Sequence, residues 1–335
     1  MKNARSTPVS LPGRNSRTAR IEPARIAVLA GGTSAEREIS LLTGKNAAEA
    51  LKTAGHQVEV LDPQNLSVSS MRLHRFDAAF LALHGTFGED GQIQQQLDEL
   101  NVIYTGSGAA ASSLAFHKLD AKRRFLSARL ATPEYVPVSK FATPSTIMQL
   151  GRSLGFPLVV KPEAQGSSLG VSLVEDPKDL LDAVALARNL DDRVLFERAI
   201  LGDEWTVPVL DDVAFPPIRI TTPRSFFNFS AKYQDDETRY EVMQDLEEPL
   251  VQRTQQLAVR ASQVLGCRGV SRVDIRIDLN GIPQLLEVNT LPGLTSHSLV
   301  PMSAAACGWS MSDLCEEMIS AAYRAHADRW QSRAS

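Results

Sequence analysis

Apolar and polar positions divide the chain into three stretches with different rhythms. Arg25 to Ala30 (RIAVLA) is a short apolar run closed by Gly31-Gly32-Thr33-Ser34, and a helical repeat follows to Ala54. A strand, a glycine turn and a helix in that order open a parallel α/β sheet. Residues 57–61 and 76–83 predict two more strands, and 92–100 a helix. The order β-α-β-β-α predicts a Rossmann-like parallel-sheet domain over 25–116. The second stretch starts with a basic amphipathic helix at 117–130. Helix 144–155, strand 158–161, a Gly/Ser loop, strand 171–175, helix 178–189 and strand 194–199 follow. Two strands with such a loop between them predict a flap, so 117–201 reads as an α+β unit. The third stretch, 202–330, holds a hairpin (204–210 and 213–220) around Asp211-Asp212 and an aperiodic segment, 223–240. Helix 249–265, a second hairpin and a closing helix at 312–325 complete it. Aperiodic loops as long as 223–240 are often functional lids.

The second hairpin carries the clearest chemistry. From Arg272 the pattern alternates, with Arg272, Asp274, Arg276 and Asp278 on one face and Val273, Ile275 and Ile277 on the other. Asn280-Gly281 predicts a two-residue type I′ turn. That turn pairs Leu279 with Ile282, Asp274 with Glu287 and Arg272 with Asn289. Directly opposite side chains have Cβ atoms about 4.5–5.5 Å apart. Two carboxylates at that spacing call for a cation, and Asn289 adds a neutral oxygen on the same face. Oxygen donors without Cys or His suit a hard cation, Mg²⁺ before zinc. The plainer alternative is a solvated face of alternating charges.

Other candidates sit at strand ends and loops, where open α/β sheets bind ligands. Glu36 and His84 follow the first and third strands. Taken alone, the first is also an ordinary acid of a first helical turn, and the second a satisfied strand-end histidine. The loop Gln165-Gly166-Ser167-Ser168 offers backbone N–H groups and hydroxyls to phosphate oxygens. Lys161 precedes that loop, and Lys118 opens the basic helix.

Composition narrows the class. At 335 residues, two or three domains are expected. A net charge of −4 gives no general pull towards nucleic acid or an anionic membrane. No apolar run approaches the roughly 18 residues that would span a bilayer. Three cysteines outside any zinc spacing fit a reducing cytoplasm. Residues 1–24 hold five Arg and Lys and three Pro without an apolar segment, which predicts a disordered tail rather than a secretory signal.

Seven motifs in order resemble the D-alanine–D-alanine ligases of the ATP-grasp superfamily. They are GGTSAEREIS (31–40), ALHGTFGEDG (82–91), YTGSG (104–108), VVKPEAQGSSLGVS (159–172), AKYQDDETRY (231–240), GCRGVSRVDIRID (266–278) and LLEVNTLPGLTSHSLVP (285–301). The resemblance implies an N-terminal α/β domain followed by an ATP-grasp fold of two subdomains, a flap and a catalytic part. It implies ATP-dependent joining of two D-alanines through a D-alanyl phosphate, for peptidoglycan precursor synthesis. Alternatives are a different second substrate, such as D-lactate, or a non-catalytic nucleotide-binding relative.

The resemblance also implies roles. Asp274, Glu287 and Asn289 match ligands of two Mg²⁺ ions, with Mn²⁺ able to substitute. Lys118 and Lys161 match lysines on the ATP phosphates, with Ser168 in the loop beside them. Glu197, Arg198 and Ile200 match the adenine-binding segment, Glu204 the ribose-binding acid and Lys232 a lid lysine that reaches the γ-phosphate. Glu36 matches the acid that binds the ammonium of the first D-alanine, and His84 lies beside that subsite. Ser167 and Tyr233 match hydroxyls linking Glu36 to the lid. Arg272 and the Gly293 N–H match groups that stabilise the tetrahedral oxyanion. Ser298 and Leu299 match the residues that bind the second D-alanine's carboxylate. Tyr233 favours an amine over D-lactate, because lactate-using relatives tend to replace it. The chain departs from the family at His117, where an aspartate is usual, and at Gln165, where a glutamate is usual. A shift in flap ordering or ATP affinity is expected from Gln165, whose neutral amide cannot pair with a cation. A homodimer through the N-terminal domain is the implied assembly.

Overall fold

A computed structural model describes residues 21–222 and 238–334, with side chains through Asp328. Most of the expected tail (1–20), Lys232 and Tyr233 lie outside the described residues. Residues 21–24 are part of the fold: Ala24 is buried and its N–H donates to His56 Nδ1 at 3.1 Å.

The first unit is a parallel sheet of β1 (Arg25–Leu29), β2 (Gln57–Leu61) and β3 (Ala78–Leu81), in the order β2-β1-β3. The apolar run of β1 is buried because helices cover both faces, as parallel sheets require. Helices α1 (Arg37–Thr53) and α2 (Gln92–Glu99) follow the expected positions. The closing helix, α9 (Met311–Ala334), returns to this unit. Its Leu314, Cys315, Met318 and Ile319 share a core with Ala47, Leu51 and Phe80.

Two helices, α3 (Ala109–Phe116) and α4 (Lys118–Ser127), lead to the second sheet. It is antiparallel, in the order β4 (Tyr135–Val138), β7 (Val194–Arg198), β5 (Leu158–Pro162), β6 (Ser172–Val174). Helices α5 (Pro144–Leu154) and α6 (Leu180–Arg188) cover it. The Gly/Ser loop joins β5 to β6, as the flap reading required.

The third sheet runs β11 (Arg239–Val242), β10 (Ile218–Thr221), β8 (Gly202–Leu210), β12 (Val270–Asp278), β13 (Pro283–Asn289), with β9 (Val213–Ala214) also on β8. The expected strand 213–220 is two short strands. Pro216 and Pro217 lie between them and have no N–H for a ladder. Helix α7 (Pro249–Leu265) packs Val251, Ala258 and Leu265 against Val273 and Ile275. Helix α8 (Leu299–Ala306) follows the loop after β13.

The β12–β13 hairpin corrects one expectation. Asp274 faces Glu287 and Arg272 faces Asn289, as the alternation implied. The turn is not a two-residue type I′ turn. Asp278 N–H donates to the Ile282 carbonyl at 3.0 Å, and Gly281 N–H to the Asp278 carbonyl at 2.9 Å. Leu279-Asn280-Gly281 is therefore a three-residue loop, in which Gly281 alone takes a positive φ, 72°. The longer loop shifts the pairing by one residue, so that Ile277 faces Pro283 and Ile275 faces Leu285. A β-bulge then leaves Leu286 without an opposite residue and restores the Asp274–Glu287 pair.

Candidate active site

The polar face of that hairpin forms one wall of the site. Asp274 is buried and heavily bonded. Arg272 Nε and Nη2 reach its two oxygens at 2.9 and 2.7 Å, Thr206 Oγ1 donates at 2.6 Å and Asn289 Nδ2 at 3.0 Å. Glu287 lies 3.4 Å from Lys118 Nζ, which also donates to the Gln165 carbonyl at 2.7 Å. Lys118 thus joins the start of α4, the flap loop and the hairpin. The Gln165 amide points elsewhere, donating to the Leu190 carbonyl at 3.2 Å. His117, the other departure, bonds the Ser113 carbonyl at 2.8 Å through Nδ1.

Beside this wall lies a cleft of about 140 Å³. Glu36, His84, Ser167, Arg272, Gly293, Ser298 and Leu299 all line it. Glu36 precedes α1, and Ser167 Oγ donates to its Oε1. The carboxylate is pressed between two backbones: a Cβ on Gly85 or on Gly166 would lie 2.5 Å from Oε2. Ser167 and Ser168 hold φ of 50° and 54°, a region that L-residues enter at a cost of about 1–2 kcal/mol each. Strain of this kind collects at binding loops. Ser298 sits at the N-cap position of α8, but its Oγ turns back and accepts from the Thr295 N–H at 2.9 Å instead of bonding the helix. A smaller cavity, lined by Lys118, Gln165, Glu287 and Asn289, shares Gly166 and Glu89 with the cleft.

His84 is buried, and burial pushes its pKa down despite the nearby Glu36 charge. Its Nδ1–H donates to the Leu291 carbonyl at 2.9 Å, and Nε2 meets Thr43 Oγ1 at 3.0 Å. Sequence reasoning quoted Glu89 within a motif but gave it no role. It is buried, and it accepts from Gly85 N–H at 2.9 Å and Leu291 N–H at 3.2 Å. Burial, then the charge of Glu36, pushes its carboxyl up to about 8.

The segment expected to hold a nucleotide lies along β7 and β8. Lys161 Nζ sits 3.1 Å from Glu197, and Lys122 Nζ sits 3.2 Å from the same oxygen. Lys122 is fully buried, bonds Thr132 Oγ1 at 2.7 Å and was missed in the sequence reading. Its signal is its spacing, four residues beyond Lys118 on one helix face. Burial holds Lys122 down at about 8. Burial alone would raise Glu197, but the two ammonium groups outweigh it and keep the carboxylate below its ordinary range. Arg198 is exposed and pairs with Glu134 at 2.7 Å, so its side chain points away from the buried cluster. Ile200 is half-buried just beyond β7. Glu204 pairs across the sheet with Arg276 at 2.9 Å.

A family model described as D-ala D-ala ligase C-terminus matches residues 125–320, and one described as D-ala D-ala ligase N-terminus matches 61–107. A protein named D-alanine--D-alanine ligase from Polaromonas sp. is 44% identical over 301 residues, 88% of this chain and 89% of its own. The crystal structure of D-alanine--D-alanine ligase from Bacillus anthracis complexed with ATP is similar at 31% identity and a TM-score of 0.81. The likeness covers 91% of this chain and 99% of that one. The Coxiella burnetii enzyme is similar at 25% identity and a TM-score of 0.80, over 94% of this chain and 98% of that one.

Proposed function

The chain belongs to the D-alanine–D-alanine ligase family, and from that premise we propose that it joins two D-alanines in an ATP-dependent reaction for peptidoglycan precursor synthesis. The carboxylate of the first D-alanine takes the γ-phosphoryl group of ATP and becomes an acyl phosphate, a far better electrophile. The amine of the second D-alanine attacks it, forming the amide and releasing phosphate, with ADP as the other product. Glu36, fixed by Ser167, binds the first ammonium. Ser298 and Leu299 take the second carboxylate, and Arg272 with the Gly293 N–H meets the oxyanion. Lys118 and Lys161 neutralise the phosphates, joined by Lys232 from the lid segment. Tyr233 extends the Glu36–Ser167 link. The backbone of the segment carrying Glu197, Arg198 and Ile200 holds adenine, and Glu204 holds the ribose.

The observation that carries this reading is the cross-strand set of Asp274, Glu287 and Asn289 beside Lys118. Among the described residues no group of three His, Cys, Asp or Glu could hold a metal. Two carboxylates and an amide oxygen nonetheless fit Mg²⁺, which keeps waters and takes its remaining ligands from phosphates. Bound there, two Mg²⁺ or Mn²⁺ ions supply charge neutralisation at the transferring phosphoryl group. We place the enzyme in the cytoplasm as a homodimer through its first unit, which sedimentation checks. The domain limits 25–116, 117–201 and 202–330 are checked by limited proteolysis.

Phosphate release should require both D-alanine and Mg²⁺, and Glu287→Gln should abolish it. Release with D-alanine plus D-lactate at neutral pH, but none with D-alanine alone, would overturn the dipeptide reading. A Glu287→Gln variant with unchanged activity and Mg²⁺ dependence would overturn the metal assignment.

A further inference from the structure

The loop after β13 is held in an unusual way. Leu291 donates its N–H to Glu89 at 3.2 Å, and its carbonyl accepts from His84 Nδ1 at 2.9 Å. Three residues on, Leu294 donates its N–H to Thr43 Oγ1 at 3.4 Å, and its carbonyl accepts from Asn46 Nδ2 at 3.2 Å. Both polar groups of both residues are therefore taken by side chains of the first unit. Pro292-Gly293 is suspended between these two anchored residues.

The four side chains are connected to each other and to Glu36. Thr43 and Asn46 lie on α1, the helix that Glu36 precedes. His84 and Glu89 lie in the loop after β3, whose Gly85 backbone presses on Glu36. A carbonyl only accepts, so His84 carries its proton on Nδ1. In the neutral ring Nε2 then accepts from the Thr43 hydroxyl, which leaves the Thr43 oxygen free to receive the Leu294 N–H. Each hydroxyl and ring atom has a defined role.

We propose that Thr43, His84, Glu89 and Asn46 form a clamp that fixes the Gly293 N–H relative to the first-substrate carboxylate Glu36. The clamp is thus a set of positioning residues for the second step, amide formation. The proposal rests on the ligase reading above, in which the Gly293 N–H meets the oxyanion formed when the amine adds to the acyl phosphate. Thr43 and Asn46 do not line the cleft, so their effect reaches the reaction only through the loop. Phosphoryl transfer does not build that oxyanion and should be spared. A misplacement of about 1 Å can cost 10²-fold in rate.

The test separates the two steps in the full-length enzyme. Reversible acyl phosphate formation moves a heavy-oxygen label from the β–γ bridge of ATP to the β-phosphate's non-bridging positions. In Thr43→Val the label should scramble near the wild-type rate when D-alanine is present. Dipeptide formation should fall by about tenfold or more, and Thr43→Ser should restore it. Retained scrambling also certifies that the variant is folded. Asn46→Ala, at a half-buried position, should show the same split more weakly. Unchanged dipeptide formation in both variants would overturn the clamp, and so would an equal fall of scrambling and dipeptide formation. Failure of the ligase reading looks different: the wild type itself would show no D-alanine-dependent scrambling.

Discussion

Gly166→Ala tests the contact between the flap loop and Glu36 without disturbing the backbone. Gly166 has no left-handed φ, so alanine fits its conformation. The new Cβ, however, would lie 2.5 Å from Glu36 Oε2 and 3.3 Å from Cδ. Ordinary contact begins near 3.4 Å, so the carboxylate must retreat by roughly 0.9 Å. It is the far end of a flexible side chain and can do so cheaply, which spares the fold. The cost falls on function. The Ser167–Glu36 hydrogen bond is stretched or lost, and bonds to charged groups contribute about 1.5–3 kcal/mol. That corresponds to a loss of about 10- to 150-fold in kcat/KM for D-alanine. Thermal unfolding should fall by no more than about 4 °C, because losing the same bond costs the fold at most about 3 kcal/mol. Gly85→Ala makes the same 2.5 Å approach to the same oxygen but at a φ of 65°. It should lose activity similarly and also about 1–2 kcal/mol of stability. Steady-state kinetics with D-alanine varied, beside calorimetry, reads both quantities. A Gly166→Ala enzyme with wild-type kcat/KM would refute the reasoning, and so would one that lost activity only by unfolding.

Two further outcomes concern stability. Lys122 has its folded-state pKa lowered to about 8 by burial, so between that pH and its ordinary 10.5 the unfolded chain binds more protons. Wild-type stability should therefore rise relative to Lys122→Met as pH increases from 8 to 10, by up to about 3 kcal/mol at 1.36 per unit; chemical denaturation across that range checks the slope, and a flat difference would refute it. In the hairpin turn, Gly281→Ala should cost about 1–2 kcal/mol because φ is 72° with nothing within 4 Å of the new Cβ. Asn280→Ala should cost under about 0.5 kcal/mol, as a surface substitution without special backbone, and equal costs at the two positions would restore the type I′ turn.

Most elements were legible because their burial has a simple period. The 3.6-residue repeat of α7 and the apolar runs of β1 and β5 each report a single environment. Helix α3 (AAASSLAF) was not legible, because it packs through small residues on several sides and shows no stripe. The short strands β4 and β11 were missed as well. Pro137 interrupts the apolar pattern of β4, and β11 is only four residues long, with Tyr240 and Val242 half-buried between exposed Arg239 and Glu241. In the site, Glu36, Ser167, Asp274, Glu287 and Asn289 were legible as chemistry at strand ends and turns. Glu89, Thr43 and Lys122 were not, because the partners that give them their place, the Leu291 N–H, the Leu294 N–H and the Glu197 carboxylate, lie 75 to 251 residues away. Their roles exist only once loops from different units meet.

The hairpin shows how a correct pairing can rest on an incorrect turn. Two-residue closure at Asn280-Gly281, carried along the ladder, would set Leu285 opposite Arg276 and Gln284 opposite Ile277. Each pair mixes a buried face with a polar one, which strand registers resist. The observed register sets Gln284 opposite Arg276 and Leu285 opposite Ile275, polar with polar and apolar with apolar. Three-residue closure achieves this near the turn. Continued without interruption, it would set Leu286 opposite Asp274 and move Glu287 onto the buried face beside Val273. The doublet Leu285-Leu286 breaks the alternation at the point where this conflict arises, and one extra residue there returns Glu287 to Asp274. Leu285, facing away from β12, donates its N–H to the Ala131 carbonyl at 2.9 Å and accepts from Thr132 Oγ1 at 2.8 Å. Thr132 is also the partner of Lys122. The bulge that aligns the carboxylates is therefore tied to the lysine that holds Glu197, so the carboxylate face of the hairpin and the buried Lys122–Lys161–Glu197 cluster share one structural support.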